Sequence, residues 1–143
     1  MIYSIGYQRL TLSRLIDLVD ELDAVLVDVR SSPFRAKDGF RRPQLEQALG
    51  NGYVWRGDVL GGRTPIQQAG IEYLRQFDGK VTTNCIIMCM EHAAGECHRH
   101  HDICAPHFPQ ALHIVDRYLV QASELSRAIE ADDDPDAFGE LAV

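Results

Sequence analysis

Residues 85–104 read Cys-Ile-Ile-Met-Cys-Met-Glu-His-Ala-Ala-Gly-Glu-Cys-His-Arg-His-His-Asp-Ile-Cys. The first six of them form an uninterrupted apolar run of strand length, which is typical of a strand buried on both faces of a sheet. A short polar loop with Gly95 follows, and Cys97 stands where a helix is predicted to begin. This stretch contains all four cysteines and four of the six histidines. Because strand–loop–helix junctions carry the ligand sites of open α/β sheets, the stretch predicts a functional site.

The rest of the chain repeats this alternation of strand and helix. Strands are predicted at 3–7, 24–30, 53–55, 84–90 and 111–116. Helices are predicted at 12–22, 43–49, 66–77, 97–105 and 118–129, the first with Thr11 as its N-cap. Strands that read as apolar runs and are separated by helices indicate right-handed βαβ units. We therefore predict a single-domain, Rossmann-like, three-layer α/β fold with a mainly parallel sheet of about five strands.

The length and composition fit one ordinary soluble domain. The chain has 143 residues, of which 45% are apolar and 24% charged, and we assign residues 1–129 to the domain. Residues 130–143 carry six acids and no base, so they are predicted to form an acidic, flexible tail. No apolar run approaches the roughly 20 residues that cross a bilayer, and the first residues lack a signal-peptide pattern. The sequence predicts a cytoplasmic protein with reduced thiols and no membrane partner.

Positive charge is concentrated in one part of this acidic chain. The net charge is −7, yet residues 30–63 contain seven bases and three acids. A local basic surface predicts a small anionic ligand, and the 30–42 loop could contact a nucleotide or a nucleic acid. The alternative is that these arginines only make the surface soluble.

Polar residues follow several of the predicted strands. Because parallel strands end at one edge of the sheet, a single composite site is expected there. Arginines at such an edge can hold phosphate or carboxylate through a two-pronged contact. The candidate substrate- or anion-binding residues are Gly6, Asp28, Arg30, Arg63 and Arg99. For Asp28 and Arg30 the alternative is an internal ion pair that orders the following loop.

The candidate catalytic residues are Cys89, Glu91, Cys97 and His98. A helix N-terminus and a nearby guanidinium lower a thiol pKa, so Cys97 could be reactive. Glu91 directly follows the strand and could act as general acid or base. The alternative for Cys97 is a small buried apolar residue. Whether the chain is an enzyme stays uncertain at this level; a thiol/carboxylate site would suit a hydrolase or a transferase.

A metal site is the less favoured reading of the same stretch, and no cofactor is predicted. Cys97, His101 and Cys104 share helical spacing and, with Cys89, could hold zinc or iron. The spacing lacks the compact Cys-x2-Cys unit of most structural zinc sites, so an inward-packed stripe is favoured. His92, His100 and His107 are predicted to be surface groups.

Four motifs in this order resemble a known family, domain-of-unknown-function family 488 (DUF488). They are Tyr-Ser-Ile-Gly at 3–6, Leu-Val-Asp-Val-Arg-Ser-Ser-Pro at 26–33, Leu-Gly-Gly-Arg at 60–63, and Met-Cys-Met-Glu followed by Cys-His-Arg at 88–99. The resemblance implies a compact α/β domain in which the recurrent polar residues would be Asp28, Arg30, Arg63, Cys89, Glu91, Cys97, His98 and Arg99. The chain departs at Tyr7, where the family often has histidine. The resemblance to this family implies no established activity.

The Asp-x-Arg strand end and the later cysteine loop are also similar to rhodanese-like sulfurtransferases, in which Cys89 would carry the sulfur. Three functional hypotheses follow. The favoured one is an enzyme acting on a small anionic substrate, such as a nucleotide or a nucleic-acid component. The others are a non-catalytic module that binds a nucleotide, a nucleic acid or a partner, and a Cys/His metal-binding protein or sulfur carrier.

Overall fold

A six-stranded sheet forms the centre of the protein. The computed structural model describes residues 1–63, 65–79 and 83–131. The strands are β1 (Ile2–Gly6), β2 (Ala24–Asp28), β3 (Tyr53–Trp55), β4 (Asn84–Cys89), β5 (Leu112–Val115) and β6 (Tyr118–Gln121). They lie side by side in the order β3-β2-β4-β1-β5-β6. The first five are parallel, and β6 alone is antiparallel, to β5.

Helices cover both faces of the sheet. They are α1 (Leu12–Glu21), α2 (Arg42–Leu49), α3 (Gly57–Leu60), α4 (Gln68–Arg75), a π-helical segment (Arg99–Cys104) that continues into α5 (Ala105–His107), and α6 (Ala122–Glu130). Leu15 of α1 and Leu45 of α2 pack on one face, whereas Leu74 of α4 and Cys104 pack on the other. The predicted single-domain, Rossmann-like, three-layer α/β fold is confirmed.

The predicted N-cap of the first helix is confirmed, whereas two of the predicted site strands are shorter than expected. The Thr11 side chain accepts a hydrogen bond from the Arg14 backbone N–H over 3.1 Å, so Thr11 is the N-cap of α1. β2 and β4 end at Asp28 and Cys89, one or two residues earlier than the apolar runs suggested. Arg30 and Glu91 therefore stand just beyond these strands, in the loops.

The prediction of a closing helix from Tyr118 to Ile129 is wrong at its start. Tyr118–Gln121 is strand β6, and α6 begins only at Ala122. Val115 pairs with Tyr118 across a two-residue turn in which Asp116 has a φ of +56°. Aspartate tolerates this left-handed conformation, and Tyr-Leu-Val suits a strand that covers the edge of β5. Tyr118, Ala122 and Leu125 have helical spacing, so the sequence pattern indicates one continuous helix through this strand.

Most of the predicted acidic tail, residues 132–143, lies outside the described residues, and Glu130 ends α6. Among the helices that the structure describes, none has the length and apolar character needed to span a bilayer.

Candidate active site

The carboxyl ends of β1, β2 and β4 meet at one edge of the sheet. The pairings Gly6–Cys89 and Asp28–Met88 bring the three strand ends level with each other. A cleft of about 320 Å³ opens beyond them. It is lined by Tyr7, Arg30, Ser31, Ser32, Arg35, Gly62, Arg63, Cys89, Met90, Glu91 and His98. The structure thus brings five of the nine predicted site residues to one cleft: Arg30, Arg63, Cys89, Glu91 and His98.

The two sulfurs and one imidazole form a compact cluster in the cleft wall. His98 Nδ1 lies 3.7 Å from Cys89 Sγ and 3.8 Å from Cys97 Sγ. The three atoms all lie within 4.8 Å of one another. Cys89 is 8% exposed and faces the cleft, whereas Cys97 is 2% exposed and lies behind it. We refer to Cys89, Cys97 and His98 as the Cys-Cys-His cluster.

The orientation of the His98 ring is fixed by the backbone around it. Its Nε2 lies 2.9 Å from the carbonyl oxygen of Leu60 and 3.2 Å from that of Val29. Carbonyl oxygens only accept hydrogen bonds, so Nε2 carries a hydrogen and donates it. Nδ1 is left to face the two sulfurs. Gly62 makes room for the ring, because a Cβ there would lie 3.1 Å from Cγ and Nδ1 of His98.

The pKa values of the three side chains in the cluster depend on one another. A hydrogen bond from Cys89 lowers the pKa of the Cys97 thiol despite burial, and His98 and Arg99 add to this effect. The same hydrogen bond raises the pKa of Cys89, as does burial. Burial opposes protonation of His98, but the hydrogen bond and charge of Cys97, together with the Leu60 and Val29 carbonyls, outweigh it and raise the His98 pKa. One negative charge in the sulfur pair is therefore favoured, and a second is not.

Glu91 places a carboxylate on the cleft wall, next to the cluster. Burial and the neighbouring Cys97 raise the pKa of this half-buried side chain.

The backbone of Glu91 packs so closely on Gly6 that a Cβ on Gly6 would lie 1.7 Å from the Glu91 carbonyl oxygen. The role of Gly6 in the structure is thus to let the loop after β4 cross β1.

Arg99 lies behind the cleft and is not one of its lining residues. Its side chain is 0% exposed. It donates to the carbonyl oxygens of Glu91 over 2.7 Å and His92 over 3.3 Å, and to Ser4 Oγ over 3.2 Å. The guanidinium therefore holds the loop that carries Glu91.

A buried polar chain extends from Ser4, the third acceptor of Arg99. Ser4 Oγ is hydrogen-bonded to His113 Nδ1, and His113 Nε2 lies 2.9 Å from His100 Nδ1. The last member of this polar chain is Ser126 Oγ on α6, which lies 3.3 Å from His100 Nε2. The prediction that His100 is a surface group is wrong, since it is 1% exposed. The π-helical segment turns it toward the sheet.

Asp28 and Arg30 form the internal ion pair that was the alternative to direct anion binding. Arg30 Nε and Nη2 donate to the Asp28 carboxylate over 2.8 Å and 2.7 Å, and Nη1 donates to the Phe40 carbonyl over 2.7 Å. Tyr53 also donates its hydroxyl to Asp28. Arg30 lines the cleft, but each of its three guanidinium nitrogens already donates to a protein acceptor.

Two other arginines, Arg35 and Arg63, supply the cleft with positive charge. Within the described residues, the side chains of Arg35 and Arg63 make no hydrogen bond or ion pair, and both are exposed at the cleft rim. By contrast, Arg42 pairs with Glu46 over 2.6 Å, and Lys37 donates to the Leu10 carbonyl over 2.6 Å. Arg35 was counted in the basic loop but was not singled out. Its position a few residues after β2 is the signal that could have identified it.

The alternative metal set of Cys89, Cys97, His101 and Cys104 is not brought together. His101 is exposed, and its Nε2 lies 2.6 Å from the Gly95 carbonyl oxygen. Cys104 is fully buried in the hydrophobic core, on the face of the sheet that α4 covers. The third potential metal ligand near Cys89 and Cys97 is instead His98. It lies at the start of the segment, where regular helical spacing does not apply.

One comparison with known proteins gives a match. The family model described as "Domain of unknown function DUF488" matches residues 11–78, just under half of the chain. The matched part contains Asp28, Arg30 and Arg63 but ends before β4. No curated protein and no solved structure matches the chain, and the rhodanese-like similarity finds no support in these comparisons. Over α1 to α4 the chain is similar to the DUF488 family.

Proposed function

We propose that the protein is an enzyme that acts on a small anionic substrate, such as a nucleotide or a nucleic-acid component. One observation carries the proposal. A single open cleft combines two members of the Cys-Cys-His cluster, the side chain of Glu91 and the exposed guanidinium groups of Arg35 and Arg63. Reactive groups, a proton-transfer group and an anion-binding group within one cleft are the set that catalysis of transfer or hydrolysis requires.

Arg35 and Arg63 are the anion-binding residues of this proposal. A guanidinium binds phosphate or carboxylate oxygens through two parallel N–H groups, and these two need not break a protein contact to do so. Arg30 and Arg99 are instead positioning residues. Arg30 is held in the cleft wall by its ion pair with Asp28. Arg99 donates a hydrogen bond to the Glu91 carbonyl and so holds the backbone of Glu91.

Glu91 is the proton-transfer residue, because its carboxylate is half-buried and lines the cleft beside the cluster. A carboxylate in this position can take a proton from an attacking group or give one to a leaving group. The Cys-Cys-His cluster is the reaction centre of the cleft, with Cys89 and His98 as the members that line it.

The test measures binding and turnover with AMP and p-nitrophenyl phosphate as probes. We expect AMP to raise the melting temperature of the protein, and Arg35→Ala with Arg63→Ala to remove that shift. Arg14→Ala is the matched control, because Arg14 is an exposed arginine that lies in α1, away from the cleft. We expect Glu91→Gln to reduce turnover at least tenfold while leaving the AMP shift in place.

Two results would contradict the proposal. The double arginine variant could bind AMP as the parent does, in which case the cleft is not the anion site. AMP could also bind through these arginines with no turnover of either probe, which would make the protein a binding module instead of an enzyme.

A further inference from the structure

We propose that Cys89, Cys97 and His98 bind one zinc ion, with a fourth coordination position open to the cleft. Zinc in proteins is tetrahedral, with Zn–S bonds of about 2.3 Å and Zn–N bonds of about 2.0–2.1 Å. Those lengths put a nitrogen and a sulfur ligand roughly 3.5–3.6 Å apart. His98 Nδ1 lies 3.7 Å from one sulfur and 3.8 Å from the other. The three donor atoms therefore already surround a point at which a zinc ion fits.

The other nitrogen of His98 has the surroundings of a metal-bound histidine. A ligating imidazole commonly donates its second N–H to a carbonyl or carboxylate, which fixes the ring and its tautomer. Here Nε2 donates to the carbonyl oxygens of Leu60 and Val29. The other ring nitrogen, Nδ1, faces the two sulfurs, as coordination through Nδ1 requires. The backbone thus prepares His98 for coordination before any ion binds.

The chemistry of the donors selects the metal. Two thiolates and an imidazole are soft and borderline ligands, which favour zinc over magnesium or calcium. Both cysteines bind as thiolates, and their two negative charges neutralise the charge of Zn²⁺. A neutral complex suits a site in which Cys97 is 2% and Cys89 8% exposed, because an uncompensated charge would be costly there.

Three protein ligands are the number that catalytic zinc sites use, since structural sites have four. Cys89 and His98 lie in the cleft wall together with Glu91, so the uncoordinated side of the ion faces the cleft. That position would take water or an oxygen of the substrate, with the Glu91 carboxylate beside it to exchange a proton. The site goes beyond the proposed function, and its test does not depend on turnover.

The first measurement is elemental analysis of protein purified without chelator or a nickel column, from cells supplied with zinc. We expect about one zinc per chain. Cys89→Ser, Cys97→Ser and His98→Gln should each lower the zinc content at least fivefold. The matched controls are Cys104→Ala and His101→Gln, which alter a cysteine and a histidine of the same segment outside the cluster and should keep the metal. Glu91→Gln should keep it as well.

Cobalt substitution provides a readout that a folding defect does not imitate. Co²⁺ added to the zinc-free protein should give the charge-transfer absorption of a thiolate–cobalt bond. Cys97→Ser should reduce that absorption by about half if it still binds Co²⁺, and Cys104→Ala should leave it unchanged. Circular dichroism of each zinc-free variant checks that the sheet has formed.

Three results would overturn the zinc site. They are metal-free folded protein that gives no cobalt–thiolate band, zinc that survives all three cluster substitutions, and a Cys89–Cys97 disulfide in protein purified without reductant. The outcomes separate the two proposals. Bound zinc without turnover contradicts the enzyme alone, whereas turnover by protein that binds neither zinc nor cobalt contradicts the zinc site alone.

Discussion

His98 donates its Nε2–H to the carbonyl oxygen of Leu60, 38 residues earlier in the chain, over 2.9 Å. This hydrogen bond joins the Leu-Gly-Gly-Arg loop to the segment that begins with Cys97. The two glycines of that loop serve protein contacts. A Cβ on Gly61 would meet Ser31, and one on Gly62 would meet the His98 ring. The loop therefore determines where the imidazole lies relative to the sulfurs.

Gly62→Ala is expected to disturb the Cys-Cys-His cluster without unfolding the protein. The new methyl group would lie 3.1 Å from Nδ1 and Cγ of His98, which is too close for an unshifted ring. We expect at least a tenfold weaker affinity for Co²⁺, measured by titration of the thiolate–cobalt absorption. Gly52→Ala is the control, since its nearest neighbour would be 3.9 Å away. Equal affinities in the two variants would contradict the role assigned to Gly62.

The sequence predicted the sheet well because its strands are apolar runs with turn signals around them. β4 is buried at five of its six positions, which is why its pattern was the clearest in the chain. The convergence of Arg30, Arg63, Cys89, Glu91 and His98 at one edge also followed from the topology of a parallel sheet. The internal Asp28–Arg30 ion pair was one of two alternatives that the sequence left open, but no feature of the sequence showed that Arg99 would be buried behind the cleft.

The third member of the cluster could not be derived from helical spacing. His101 shares a helical stripe with Cys97 and Cys104, and this favoured it over His98 as a partner. The segment begins at the end of a tight loop, so His98 points back toward Val29 and Leu60 while His101 faces solvent. Side-chain direction at a helix start depends on the path of the preceding loop, which residue spacing does not encode.

Arg99→Ala is expected to lower the free energy of unfolding by about 3 kcal/mol or more, because it leaves a cavity and unpaired buried acceptors. Those acceptors are the Glu91 and His92 carbonyls and Ser4 Oγ. Urea unfolding followed by circular dichroism measures the change. Arg14→Ala, which removes an exposed contact with Glu21 at 3.5 Å, should cost less than about 0.5 kcal/mol. Similar values for both variants would show that Arg99 does not hold the loop.

Asp28→Asn is expected to be more destabilising than Tyr53→Phe. Asp28 is the carboxylate that compensates the buried guanidinium of Arg30, and it accepts a hydrogen bond from Tyr53 as well. Removing the charge of one partner in a buried pair costs about 3–5 kcal/mol. Loss of the tyrosine hydroxyl alone should cost about 1 kcal/mol. Urea unfolding of the two variants gives the comparison, and a larger effect for Tyr53→Phe would refute this account of the pair.

His113 is expected to make stability fall as the pH falls below about 6.5. Burial lowers the pKa of His113 well below its ordinary value, and the charges of Arg99 and His100 act in the same direction. In this window the unfolded chain takes up a proton at His113 and the folded protein does not. The folded state is therefore favoured at higher pH and loses that advantage on acidification.

Urea unfolding of chelator-treated protein at pH 8 and about pH 5 measures this dependence, with any bound metal removed. His113→Gln should reduce the loss of unfolding free energy between the two pH values, even if it lowers stability at both. His107→Gln is the control, because His107 lies in α5, at the opposite end of the π-helical segment from the cluster. It should keep the parent's slope. If the His113 variant loses as much stability on acidification as the parent, the buried histidine is not the group that senses pH.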